Sequence, residues 1–156
     1  MAPSASSQRA AHAEPTAAGQ VWYTQFAHDG ERLASASADK TIVVWSILSE
    51  KVPRVLRVLA GHTDAITCVA WSRDDRHLVS CAKERIKLWN PDTGEEIREF
   101  QADSEAITAL AWLDSMRFVS GSKRIHVWQV GGGRVPVPPG NPASTDRARL
   151  HPCCFL

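Results

Sequence analysis

Three polar residues near the middle of the chain, His62, Asp64 and Ser80, are of the types that make up a hydrolytic triad. In such a triad a carboxylate orients the imidazole, and the imidazole takes the proton of the serine hydroxyl. The sequence around Ser80 does not have the G-x-S-x-G pattern of a nucleophile elbow, and no segment supplies an oxyanion hole. We therefore predict that these residues are structural and that the chain has no catalytic site.

Two further sets of residues have the chemistry of a metal site but not its spacing. Cys68 and Cys81 have no matched second pair of ligands, so we expect reduced thiols in a cytosolic or nuclear protein. Asp29-Gly30 and Asp74-Asp75 are typical of tight turns, in which aspartate bonds to nearby backbone amides. The sequence predicts no metal and no cofactor.

The last four residues, Cys153-Cys154-Phe155-Leu156, loosely fit the C-a-a-X pattern of a prenylated protein. Such short patterns arise by chance, and only Arg147 and Arg149 make the preceding segment basic. No apolar stretch approaches the roughly 20 residues of a membrane span. Because 18 basic residues nearly balance 17 acidic ones, we expect neither a membrane nor a nucleic acid as partner.

The elements that carry these residues repeat. A similar segment occurs three times, and it occupies residues 21–47, 65–90 and 106–130. Each copy contains a serine and, further on, a closing tryptophan: Ser35 and Trp45, Ser80 and Trp89, Ser120 and Trp128. A period of about forty residues, with short alternating strands and a closing tryptophan, is typical of four-stranded propeller blades.

The repeats predict an all-β chain, a partial β-propeller of three blades at residues 21–59, 60–100 and 101–130. We expect the third blade to be incomplete, because three glycines and a proline-rich segment follow it and proline withholds a ladder donor. Residues 1–20 are rich in alanine, serine and proline and predict a disordered lead-in. Residues 131–156 form a Gly/Pro-rich tail that we also expect to be disordered.

Short motifs within the copies are those of a known family. Gly61-His62 precedes the second copy, Trp89-Asn90 closes it, and the first copy has Asp39 in the turn before Trp45. These motifs resemble WD40 repeats, a β-propeller family of protein-interaction scaffolds. The resemblance implies a buried hydrogen-bonded network in each blade, built here from Ser35, Asp39, Trp45, His62, Ser80, Trp89, Ser120 and Trp128. No copy has the full set. In the second copy, for example, Lys83-Glu84 replaces the turn aspartate.

A narrower likeness rests on motifs from all three copies. The first has Val21-Trp22 and Phe26-x-x-Asp29-Gly30, the second has Thr93-Gly94-Glu95, and the third has a segment at 117–121. Together they are similar to the WD-repeat subunits of CTLH-type (GID) ubiquitin ligases. The likeness implies a non-catalytic scaffold that binds other subunits of such a ligase in the cytoplasm or nucleus. Two alternatives stay open: a scaffold fragment from signalling or RNA processing, and a truncated product without stable function.

Cations recur in the predicted turns between the second and third strands of the copies. They are Lys40, Lys83, Arg85, Lys123 and Arg124. Since these turns share one face of a propeller, we expect a basic arc that binds an acidic segment of a protein partner; the alternative is that they are solvated turn charges. Propellers close with about four to eight blades, so three leave open edges and predict self-association.

Overall fold

The computed structural model describes residues 19–48, 52–102 and 105–136. They form twelve strands in three four-stranded antiparallel sheets. The first sheet contains β1 (Val21–Phe26), β2 (Arg32–Ser37), β3 (Thr41–Ser46) and β4 (Arg54–Ala60). The second contains β5 (Cys68–Trp71), β6 (Leu78–Ala82), β7 (Arg85–Trp89) and β8 (Glu96–Gln101). The third contains β9 (Ala109–Trp112), β10 (Arg117–Gly121), β11 (Ile125–Gln129) and β12 (Arg134–Val135).

Each sheet is a meander whose strands lie side by side in chain order, so each is one propeller-type blade with strands a to d. The inner strands β1, β5 and β9 pack against one another in sequence. This arrangement confirms the predicted fold class of an all-β chain with three propeller blades. Within the described ranges, no helix is long and apolar enough to cross a membrane.

The hydrophobic core consists of two layers, one between the first and second blades and one between the second and third. In the middle blade, Trp71, Leu78 and Trp89 face the first layer. Val79, Ile86 and Leu88 face the second. All three strands β5, β6 and β7 are therefore almost wholly buried.

Strand β5 begins three residues after the start of the second copy at residue 65. The reason is that backbone amides before β5 bond to the preceding blade: Ile66 N donates to Ser37 O at 3.2 Å. The same contact recurs before β9, where Ile107 N donates to Lys83 O at 2.8 Å. The connection between blades is thus itself part of the contact between them.

The third blade has a fourth strand that the sequence analysis did not expect. Strand β12 pairs with β11 through Val127 opposite Val135 and Trp128 opposite Arg134. A turn at Gln129–Gly133 reverses the chain, and Pro136 then removes the next ladder donor. The prediction of a truncated blade is therefore corrected: the outer strand is present but only two residues long.

The predicted boundaries of the terminal segments also change. Gln20 belongs to the first blade, since its carbonyl accepts from Ala38 N at 2.9 Å. Residues 131–136 belong to the third blade rather than to a tail. The rest of both predicted disordered segments, residues 1–18 and 137–156, lies outside the described residues, and so does Cys153.

Candidate functional site

A four-stranded meander alternates its connections between two ends. The a–b and c–d turns lie at one end, and the b–c turn lies at the other, together with the d–a connection to the next blade. We call these the a–b end and the b–c end. The b–c end carries the turns near Lys40, Lys83 and Lys123 and the connecting residues 61–67 and 105–108.

Each blade holds its closing tryptophan by the same hydrogen bond, which is buried in the second and third blades and partly buried in the first. The indole Nε1 donates to the serine Oγ of strand b: Trp45 to Ser35 at 2.9 Å, Trp89 to Ser80 at 2.8 Å, and Trp128 to Ser120 at 2.9 Å. An indole N–H within a blade needs such a partner, because an unsatisfied buried donor costs about 1–3 kcal/mol. The contact therefore stabilises strand c against strand b in every blade.

Among the described residues, His62 extends this pair in the middle blade. Its Nε2 lies 2.6 Å from Ser80 Oγ. Because Ser80 Oγ accepts from the Trp89 indole, its single hydrogen is free to be donated to a neutral imidazole. Burial, and next the charge of Lys87, lower the pKa of His62 to about 4, which is consistent with the neutral form. Its Nδ1 is buried and has no partner among the described residues.

Asp39 does not join the network of its own blade. Its Oδ1 accepts from the amide of Thr41 at 2.9 Å and from the Thr41 hydroxyl at 2.6 Å. Although burial opposes the charge of Asp39, these bonds from Thr41 hold its pKa below the usual value. Asp39 therefore closes the b–c turn locally, while Lys40 beside it has a left-handed φ of 74°.

The structure does not assemble a catalytic triad. His62 contacts Ser80, but the Asp64 carboxylate lies 2.6 Å from Lys83 Nζ and accepts from the Thr63 hydroxyl at 3.2 Å. No bond between Asp64 and His62 is present among the described contacts. Across the described residues, no three histidine, cysteine or acidic side chains are grouped as metal ligands. Cys68 and Cys81 are free, buried and directly opposite each other on β5 and β6.

The five cations of the predicted basic arc lie at the b–c end, but three of them have acidic partners. Lys83 pairs with Asp64, Arg85 pairs with Glu99, and Lys123 pairs with Glu105. Lys40 and Arg124 are exposed turn residues. The b–c end is thus a rim of exposed ion pairs rather than a uniformly basic surface, and its field is weaker than the sequence alone suggests.

An exposed aromatic residue lies beside this rim. Trp22 is 49% exposed, and it lines a cavity of about 250 Å³ together with Thr67, Lys83 and Ile107. Strand β1 is irregular between Val21 and Tyr23, and this irregularity contributes to the placement of Trp22. An exposed indole next to an open cavity and charged groups is a common arrangement for binding a protein segment.

Sequence reasoning missed Lys87, which is buried in strand c. Its Nζ lies 2.7 Å from carboxylate oxygens of both Glu96 and Glu99 on β8. Although burial opposes the charge of Lys87, these two carboxylates raise its pKa. The sequence of β8 alternates charged and apolar residues, and this pattern does not reveal that two of its acids face a buried lysine.

Sequence reasoning also missed the contacts that hold the first two blades together at the a–b end. Asp75 accepts from His28 N at 2.9 Å and from Asp29 N at 2.8 Å. Arg32 donates to the Asp75 carbonyl at 3.1 Å and lies 5.0 Å over the Trp71 ring. Asp75 is a turn residue, as the sequence predicted, but its carboxylate accepts hydrogen bonds from the neighbouring blade.

Tryptophans at the end of strand a form a second contact between blades. Trp71 Nε1 donates to Gln25 O at 3.2 Å, and Trp112 Nε1 donates to Ala70 O at 2.9 Å. Gln25 makes a second contact with Trp71, since its side-chain oxygen accepts from Trp71 N at 2.9 Å. The same type of bond therefore joins each pair of neighbouring blades in the described chain.

Three stacked four-stranded meanders, each with a hydrogen-bonded Trp–Ser pair, define a repeat protein of the β-propeller class. Residues 9–46 and 53–90 match the sequence profile of the WD domain, G-beta repeat, and the chain is therefore a WD40-repeat protein. The third blade lies outside the matched residues, and its fold and its Trp128–Ser120 bond relate it to the other two.

Similar curated proteins carry the same repeats over much longer chains. The chain is 34% identical to the WD repeat-containing protein WDS homolog of Arabidopsis thaliana, over 74% of this chain and 24% of that protein. It is 30% identical to the WD repeat-containing protein 26 homolog of the same plant, over 72% of this chain and 20% of that protein. The chain therefore spans about a quarter or less of these relatives.

Solved structures of WD40 repeats have the same fold. The crystal structure of the RRP9 WD40 repeats superposes with a TM-score of 0.69 at 25% identity, covering 76% of this chain and 38% of that one. The structure of U3-55K gives the same TM-score and identity. WD40 propellers are typically scaffolds for protein interactions, so the coarse functional class follows from the family.

Proposed function

We propose that this WD40-repeat chain is a non-catalytic scaffold that binds a protein partner at the b–c end of its blades. The observation that carries the proposal is the exposed Trp22 beside an open cavity, with the Lys83–Asp64 ion pair at its rim. Interfaces draw much of their binding energy from an aromatic anchor in a pocket, and the surrounding charges act mainly on the rate of encounter.

The partner class comes from the likeness to the WD-repeat subunits of CTLH-type ubiquitin ligases. On this proposal the chain binds scaffold subunits of such a ligase, in the cytoplasm or nucleus. The similarity to the WD repeat-containing protein 26 homolog supports a relationship within this part of the family. The b–c end supports an interaction role for the chain whichever complex it joins.

The test is affinity purification of the tagged full chain from cells, with mass spectrometry of the recovered proteins. We expect CTLH-type ligase subunits with the unchanged chain, and a loss of at least about tenfold with Trp22→Ala, as for a hot-spot residue. Leu113→Ala is the control, since Leu113 is 47% exposed at the a–b end. If no ligase subunit is recovered, the partner proposal is wrong; if both variants lose binding equally, the b–c end is not the contact surface.

The basic residues are tested separately by their salt response. Lys83→Glu combined with Lys123→Glu should slow association and reduce its dependence on ionic strength, because exposed charges steer encounter. Arg73→Glu with Arg76→Glu is the matched control, since both residues are exposed in the a–b turn of the same middle blade. If the two double variants respond equally, the basic residues are only solvated turn charges.

A further inference from the structure

Each blade has two faces, which we name by chain order. The forward face is turned toward the next blade and the rear face toward the preceding one. In the middle blade, the forward face consists mainly of small and aliphatic residues, with one aromatic residue on the outer strand β8: Cys68, Ala70, Val79, Cys81, Ile86, Leu88 and Phe100. The third blade covers this face with Trp112, Phe118 and Trp128. In both contacts the forward face is therefore mostly aliphatic, with Tyr23 in the first blade and Phe100 in the middle blade as exceptions, and the rear face that meets it is mainly aromatic.

The forward face of the third blade is likewise made of small and aliphatic residues, and no blade among the described residues packs against it. The strand register places Ala111 opposite Val119, as Ala70 is opposite Val79 in the middle blade. It also places Ala109 opposite Gly121, where the middle blade has Cys68 opposite Cys81. This face forms a shallow apolar cavity of about 130 Å³. Ile125, at the position of the buried Ile86, is 67% exposed.

The rear face of the first blade is open in the complementary way. Phe26 is 60% exposed, although it stands where Trp71 and Trp112 stand in the following blades. The equivalence follows from register, since Phe26 is paired with Leu33, Trp71 with Leu78, and Trp112 with Phe118. Leu33 and Trp45 on the same face are only partly buried. The first blade thus offers an aromatic rear face of the kind that covers the forward face of the middle blade, and the described residues place no such face against the third blade.

We infer that two copies of this chain close head to tail into a six-bladed ring, with each third blade receiving the first blade of its partner. Three blades and three blades give a number within the range of about four to eight at which propellers close. The two contacts are identical, as a two-fold symmetric dimer requires. The chain's net charge of +1 leaves no long-range repulsion between copies.

The contact between copies lacks one feature of the contacts within a chain. Trp71 and Trp112 each donate an indole hydrogen bond to the carbonyl of strand a in the preceding blade. The ring of Phe26 is also aromatic and flat, but it has no such donor. The register predicts that a tryptophan at this position would donate to Ala111 O, the counterpart of Ala70 O. The association is therefore one that a single substitution should strengthen.

The experiment is sedimentation equilibrium of the full chain over a range of concentrations. We expect a reversible monomer–dimer equilibrium without higher species. Phe26→Trp should lower the dissociation constant on the order of tenfold, by adding one hydrogen bond at each contact. Ile97→Trp is the control, since Ile97 is 47% exposed on the outer strand β8 and lies on neither open face. A chain that stays monomeric together with its Phe26→Trp variant overturns the inference.

Mixing two defective variants tests the head-to-tail geometry. Phe26→Glu damages the rear face and Ile125→Asp damages the forward face, and both residues are exposed enough for the variants to fold, which thermal melting would check. Each variant alone should be monomeric, because both contacts of its dimer are damaged. Their mixture should associate, since one intact contact remains. A mixture that stays monomeric contradicts the closed ring, and so does a single variant that still dimerises. In either case something other than a second copy in this arrangement covers the open faces.

Discussion

His62 shows how one missing residue changes the behaviour of a buried network. In a blade with the full family set, a turn aspartate would complete the group that contains the imidazole. Here the turn carries Lys83-Glu84, and Nδ1 of His62 has no partner among the described residues. The side chain is 7% exposed and lies near the positive charge of Lys87. Protonation of His62 is therefore opposed in the folded protein but not in the unfolded chain.

This difference predicts a loss of stability at mildly acidic pH. The pKa of His62 falls from 6.5 in the unfolded chain to about 4 in the folded one. Between these values only the unfolded state takes up the proton, so the stabilisation is complete above pH 6.5 and is lost as pH falls toward 4. The full difference is about 3 kcal/mol in free energy of unfolding. Urea unfolding at intervals from pH 7.5 to pH 4.5 measures most of it.

The control is His62→Gln, which removes the titrating group and keeps a side chain able to accept from Ser80. This variant should be less stable at pH 7.5 but should have a flatter pH profile across the window. The carboxylates with lowered pKa values, Asp39 and Asp75 among them, titrate mainly below it. An unchanged slope in the variant would show that another group causes the pH dependence.

At the scale of elements, the a–b turn of the middle blade holds the first blade. The Asp75 carboxylate accepts the amides of His28 and Asp29, and its backbone has a left-handed φ of 55°. Asn tolerates that conformation, so Asp75→Asn preserves the turn. Its amide nitrogen, however, must face one of two backbone N–H groups. We expect a loss of about 1–3 kcal/mol in the free energy of unfolding, since one donor is left unsatisfied.

Asp74→Asn is the matched control for this prediction. Asp74 precedes Asp75 in the same turn, is exposed, and bonds only within its own blade, to Ser72 Oγ at 2.7 Å and Arg76 N at 3.3 Å. Denaturant titration of both variants compares the two positions directly. Equal losses would mean that the turn itself matters rather than the contact that Asp75 makes with the first blade.

The same turn shows what the sequence could predict and where its information ended. Strand positions followed from the repeat of Trp45, Trp89 and Trp128, because the closing tryptophan occupies one place in every blade. A turn at Asp74-Asp75 followed from residue type. That Asp75 binds the preceding blade did not follow, because local pattern carries no information about which face of a turn meets its neighbour. The ion pairs of Lys83 and Lys123 were missed for the same reason.

Over the whole molecule, the three blades differ in how many faces they bury. The middle blade is covered on both sides, and β5, β6 and β7 have almost no exposed side chains. Within the part of the chain that the structure describes, the first and third blades each have one open face, marked by Phe26 and Ile125. In a stacked repeat, stability is approximately a sum of intrinsic blade terms and contacts with neighbours. The middle blade receives two such contacts and each outer blade receives one.

Hydrogen exchange should therefore be graded along the chain at concentrations where it is monomeric. Amides of β6 and β7 should exchange more slowly than those of β10 and β11, by at least about tenfold, because the third blade can open without exposing the contact between the first two. Raising the protein concentration should slow exchange in β10 and in β1 but leave β7 nearly unchanged, since association covers only the outer faces. Uniform protection in the monomer would show that the three blades unfold as one cooperative unit. Outer-blade protection that does not change with concentration would contradict closure by a second copy.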